Sequence, residues 1–148
     1  MEIRSDRRHR FDVDRAALWD RMTAVEEYQR WWPWLSALHA GALAPGETWR
    51  ATVRPPLPYV VRFAITIEEV DTPSLVTARI DGDIAGSARM EVSEDGSGSE
   101  VRLVSALSPR NRLLRSVAVF ARPLVAYGHD WVLDAGFRQF SSRGLRGD

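Results

Sequence analysis

The chain has 148 residues, 45% of them hydrophobic and 27% charged, with twenty basic residues balanced by twenty acidic ones. This is the size and composition of a single globular domain, residues 1–148, and it excludes a disordered or fibrous chain. All twenty basic residues are arginine and cysteine is absent, which excludes Schiff-base chemistry, a phosphate-loop lysine, disulfides and thiolate sites, while zero net charge gives no electrostatic footprint for nucleic acid.

The first ten residues lack an apolar signal-peptide core, and no uncharged run approaches the ~20 residues that span a bilayer, so a cytoplasmic protein without a membrane span is predicted. Ile3, His9, Phe11 and Val13 alternate weakly with arginines, predicting a first strand whose Arg4, Arg7, Arg8 and Arg10 form a solvated face. Asp14 is placed to N-cap a helix over residues 15–24, with Val13 and Leu18 as a hydrophobic staple. A second short helix is predicted for residues 25–31, ended by Pro33. The bend Trp31-Trp32-Pro33-Trp34 carries a large apolar surface that must be buried.

From residue 36 to 107 the chain is punctuated by turn signals at 44–47, 55–58, 71–74, 81–83 and 95–99. Between them, Tyr59, Val61, Phe63, Ile65 and Ile67, and then Ile84, Gly86, Ala88, Met90 and Val92, alternate with polar residues. Connections this short join antiparallel neighbours. Ser108 and Pro109 are read as the cap and first turn of a helix running to about residue 141, kinked at Arg122-Pro123 and ended by Gly144. Its apolar stripe comprises Val117, Phe120, Leu124, Gly128, Trp131 and Ala135 and should face the sheet. The whole is an α+β domain with a curved antiparallel sheet and a long C-terminal helix.

Trp31-Trp32-Pro33, Pro58-Tyr59, Gly82-Asp83-Ile84-Ala85-Gly86 and His129-Asp130-Trp131 stand in the order found in the START-like (SRPBCC) superfamily. The chain resembles its polyketide cyclase/dehydrase group over nearly its whole length. The resemblance implies a helix-grip fold, with about six or seven strands wrapped around the C-terminal helix, two short helices after the first strand, and a cavity for lipids, hormones, polyketides or other hydrophobic molecules.

Trp34, Trp49, Tyr59, Phe63, Met90, Phe120, Leu124, Tyr127 and Trp131 are the candidate ligand-binding residues, on strand faces and a helix stripe that should meet. The two sets either pack directly or wall a void, and Gly86 and Gly128 tip this toward a void, because missing side chains on facing elements leave space or permit close approach. His129 and Tyr59 are candidates for acid-base catalysis, with Tyr127 a further polar candidate. Histidines at 9, 39 and 129 show no ligand spacing, so no metal and no cofactor is predicted. Three functions remain open: binding of a small apolar or aromatic ligand by a monomer or homodimer, a cyclase, aromatase or dehydrase acting without metal or covalent intermediate, and a protein-interaction module.

Overall fold

The computed structural model describes residues 2–112, 114–116 and 122–145, with residues 122–125 described by their backbone alone. β1 (Ile3–Phe11) is followed by α1 (Arg15–Met22), a 3-10 turn (Val25–Glu27) and α2 (Tyr28–Trp31). Six strands follow in succession: β2 (Leu35–His39), β3 (Thr48–Val53), β4 (Val61–Asp71), β5 (Leu75–Gly82), β6 (Ile84–Asp95) and β7 (Gly98–Pro109). The last described helix, α3 (Arg122–Gln139), runs into a π-helical turn (Phe140–Gly144). No helix among the described residues is long and apolar enough to cross a membrane.

Local chemistry explains the boundaries. Asp14 sits in extended backbone and its carboxylate accepts the Ala17 amide at 2.8 Å, closing the open end of α1. Trp32, which precedes Pro33, leaves helical geometry at φ −120 and ψ 89, so α2 stops there. Each predicted turn signal falls at a junction between successive strands, with Asp71, Asp81-Gly82, Asp95 and Gly98-Ser99 still paired at the strand ends.

The strands pair antiparallel in the order β1-β7-β6-β5-β4-β3-β2. The one long-range step brings β1 beside β7, with Ile3 opposite Leu107 and Phe11 opposite Ser99. Laid flat at the usual strand spacing, the two edge strands would stand about 29 Å apart. Ile3 of β1 and Leu38 of β2 nevertheless line one cavity, so the sheet curls into a half-barrel around α3. Register shifts in β2 and β4 mark irregularities of the kind that bend a strand.

The densest packing lies at one end of the half-barrel, where Phe11, Leu18, Trp31, Val92 and Val101 are almost wholly buried. Trp31 meets Phe140 edge-on at 5.4 Å. A Cβ at Gly144 would come within 2.7 Å of the Phe140 ring and 3.3 Å of Trp31, so glycine there lets the chain close over this cluster.

Two sequence expectations are corrected, and of the two readings of Gly86 the structure selects close approach. Ser108 and Pro109 do not start a helix: they finish β7, paired with Ala85 and Ile84. The cap lies further on, where the Asn111 side chain accepts the Leu114 amide at 2.9 Å, while the predicted kink at Arg122-Pro123 adjoins residues 117–121, which lie outside the described residues. Arg7 is not on the solvated face, because the strand alternation turns it inward to Asp130 at 2.7 Å and Asp134 at 3.4 Å. Gly86 does not make room for a ligand. Its φ is 153°, and a Cβ there would overlap the Ala106 carbonyl oxygen of β7, so the glycine serves close approach of two strands.

Gly86→Ala therefore combines positive-φ strain with a backbone overlap and is expected to lower the unfolding free energy by at least about 3 kcal/mol. Gly96→Ala, at φ 62° with nothing within 4 Å of its new methyl, should lose only about 1 kcal/mol. Urea denaturation of both variants tests the difference, and equal losses would refute the strand-approach explanation.

Candidate functional site

Between the concave face of the sheet and α3 lies a cavity of two adjoining lobes, of about 350 Å³ and 320 Å³. The first is bounded by Tyr59, Phe63, Leu107, Leu114 and His129. The second reaches toward the packed end and is bounded by Met22, Met90, Val101, Phe137 and Phe140. Trp32, Trp34, Trp49, Ala88 and Val132 line both and form the waist. Each lobe falls in the size range of small-molecule sites.

Strand alternation supplies one wall: Val61, Phe63 and Ile65 of β4 point inward, as do Ala88 and Met90 of β6. The helix supplies the other. Gly128, Val132, Gly136 and Phe140 recur every fourth residue, with His129, Leu133 and Phe137 beside them. Hydrogen bonds fix the helix in place: Trp32 Nε1 donates to the Gly136 carbonyl at 3.0 Å, and Trp34 Nε1 to Gln139 Oε1 at 2.8 Å. On the opposite edge His9 stacks on Phe137 at 5.3 Å, next to the Arg7 ion pairs.

Trp34, Trp49, Tyr59, Phe63 and His129 thus converge on the first lobe, and Met90 stands in the second. Tyr127, 56% exposed, and Trp131 line neither lobe. Phe120 and the side chain of Leu124 lie outside the described residues. The helix presents Val132 and Leu133 where Trp131 was expected. The four-residue repeat from Gly128 through Val132 and Gly136 to Phe140 carried that signal, but the larger Trp131 drew the stripe one position aside. At Gly128 too the structure selects close approach: a Cβ there would overlap the Tyr59 hydroxyl and come within 2.8 Å of Leu57 Cδ1, so the glycine seats Tyr59 against the helix.

Few polar atoms face this cavity. The Tyr28 hydroxyl donates to the Met22 carbonyl, and burial pushes its pKa well above the ordinary phenol value. Burial also raises that of Tyr59, which stays a neutral phenol. His129 is enclosed, and Nδ1 is buried without a hydrogen-bond partner. It stands 3.6 Å from Asp130 Oδ1, too far for a good hydrogen bond. Burial lowers the His129 pKa below its ordinary 6.5, against an opposing pull from Asp130 and in the same direction as the Arg7 charge.

A family model described as polyketide cyclase/dehydrase and lipid transport matches residues 2–142. No curated protein matches the chain. Among solved structures, a protein from Thermus thermophilus superposes with a TM-score of 0.80 at 14% identity, over 100% of this chain and 99% of its own. The Zhui aromatase/cyclase of a Streptomyces species gives 0.80 at 11% identity, covering 99% and 95%. Norcoclaurine synthase from Thalictrum flavum, in complex with dopamine and hydroxybenzaldehyde, gives 0.69 at 12% identity, covering 100% and 89%. At these identities the likeness is one of fold.

Two outcomes follow from the site's geometry. Gly128→Ala should destabilise the protein by about 2–3 kcal/mol through overlap with the Tyr59 hydroxyl, and adding Tyr59→Phe should recover part of the loss. A thermal-melt double-mutant cycle showing no coupling would refute that contact. Because the His129 pKa is lowered on folding, its neutral form is carried without penalty above pH 6.5. As pH falls below that value the unfolded chain takes the proton more readily, and stability is lost. His129→Gln should therefore flatten the fall in stability between pH 7 and 5, measured by urea unfolding at each pH. An unchanged slope would contradict it.

Proposed function

The chain belongs to the polyketide cyclase/dehydrase and lipid transport family, and from that premise we propose that it binds an apolar or aromatic small molecule in the two-lobed cavity between sheet and α3. The observation that carries this reading is the wall itself. Both lobes are lined almost entirely by aliphatic and aromatic side chains, with three indoles at the waist. Rigid aromatic faces accept planar ligands at little entropic cost, and burial of ring surface supplies the affinity. Two proteins of the same fold carry aromatic chemistry in their names, one an aromatase/cyclase and one a synthase held with dopamine and hydroxybenzaldehyde.

A second reading, cyclisation or dehydration of a polyketide-like ketone in the same cavity, is favoured by one observation. His129 presents an imidazole to the first lobe with its pKa lowered, so a neutral base is available near pH 7. Tyr59 could supply a proton to a substrate oxygen. In this reading the walls fold the chain and the two side chains move protons.

Trp32, Trp34 and Trp49 make the cavity its own reporter. Saturable quenching of tryptophan fluorescence is expected with some member of a panel of fatty acids, sterols, flavonoids and aromatic polyketides. Ala88 faces the waist, so Ala88→Phe should weaken that binding by at least about tenfold while leaving a cooperative melt. Binding unaffected by a filled waist would place the ligand elsewhere. Turnover of a bound polyketide that is lost in His129→Gln while binding persists would select the second reading.

A further inference from the structure

The polar atoms around the first lobe divide into those already used by the protein and those left over. The indole N–H groups of Trp32, Trp34 and Trp49 donate to Gly136, Gln139 and Ala42. Ser105 shares a 2.7 Å hydrogen bond with Ser5, and the Tyr28 hydroxyl is bound to Met22. Tyr59, Ser108 and His129 line the lobe, and no side-chain hydrogen bond engages them among the described residues. Tyr59 and His129 share one corner, since the Tyr59 hydroxyl rests against Gly128, the residue before His129.

Charge narrows the choice further. No Arg, Asp or Glu lines either lobe among the described residues. The Arg7 guanidinium, whose charge acts on His129, is committed to Asp130 and Asp134. A carboxylate carried into this lobe would lose its hydration with no cation to receive it. A bare hydrocarbon would leave the Tyr59 and His129 polar atoms unpaired. Asp130, 3.6 Å from Nδ1, favours a proton on that nitrogen and leaves Nε2 as the lone-pair acceptor.

The geometry points to a neutral hydroxylated ligand, a phenol or alcohol on an apolar ring body, whose hydroxyl donates to His129 and accepts from Tyr59 while the body lies across the tryptophan waist. A hydroxyl is the group that offers one donor and one acceptor at a single atom. This inference rests on the ligand-binding reading above and specifies which class of apolar molecule the cavity selects.

Three probes of one shape test it: naphthalene, 2-naphthol and 2-naphthoate, titrated by tryptophan quenching and calorimetry into the wild type and into His129→Leu and Tyr59→Phe. The naphthol should bind at least as tightly as naphthalene, and the naphthoate at least roughly tenfold more weakly. In either variant the naphthol-to-naphthalene affinity ratio should fall by about tenfold, with naphthalene binding itself retained as proof that the cavity is intact. Should a variant fail to melt cooperatively, the other variant and the wild-type naphthoate comparison still decide. Naphthoate binding as tightly as naphthol, or a ratio unchanged in folded variants, overturns the hydroxyl assignment and leaves the apolar cavity standing. Failure of all three probes to bind a natively folded protein overturns both readings together.

Discussion

The cavity exists because α3 hangs from its neighbours by directional bonds. Trp32 and Trp34 reach the helix through their indole N–H groups, Arg143 donates to the Trp31 carbonyl at 3.1 Å, and Arg21 donates to the Gly144 carbonyl at 2.7 Å. On the far side Arg7 holds Asp130 and Asp134 from β1. Apolar packing alone is nearly isotropic and would draw the helix down until the concave face was filled to ordinary interior density. Hydrogen bonds with fixed lengths, made by bulky groups at both edges, set the helix at a height that leaves the two lobes between it and the concave face. The polar bond count thus matters less to stability than to shape, since each bond adds only about 1 kcal/mol net.

The same bonds explain why the walls offer a ligand so little polarity. An indole is amphipathic, and here the protein takes the N–H and leaves the ring faces to the cavity. Tyr28 behaves likewise, its hydroxyl consumed by Met22 and its ring shared by both lobes. What remains unclaimed is the corner at Tyr59 and His129. A uniformly apolar chamber with one polar corner gives affinity through area and orientation through that corner.

Much of this was legible in the residues. Alternation in Tyr59 to Ile67 and Ile84 to Val92 marked the inward strand faces, and turn chemistry placed every hairpin. Asp14 and Pro33 fixed the early helices. The helix stripe was harder to read, because a 3.6-residue period admits adjacent stripes and side-chain size is a poor arbiter between them. Trp131 was the larger residue, but the rotation of α3 is set by Trp32 on Gly136 and by His9 on Phe137, contacts between residues about a hundred positions apart. The glycines left two readings open, space or close approach, for a related reason. Gly86 and Gly128 do accommodate something, but the occupant is the Ala106 carbonyl in one case and the Tyr59 hydroxyl in the other, and sequence does not name the neighbour.

The size of the cavity argues that it is not an accident of folding. Lobes of about 350 Å³ and 320 Å³ walled by apolar side chains leave uncovered a surface that a close-packed interior would bury. Ala51 faces the first lobe, Gly136 the second and Ala88 both, at positions where leucine or phenylalanine would fill the space. A chain under no constraint but stability would fill such positions, because large-for-small changes at a void recover burial without strain. Keeping them small forgoes stability in the free protein, and a ligand that occupies the lobe restores it by covering the same apolar surface. Binding and folding are therefore linked through one cavity, and the small residues that face it are where the molecule gives up stability to allow binding.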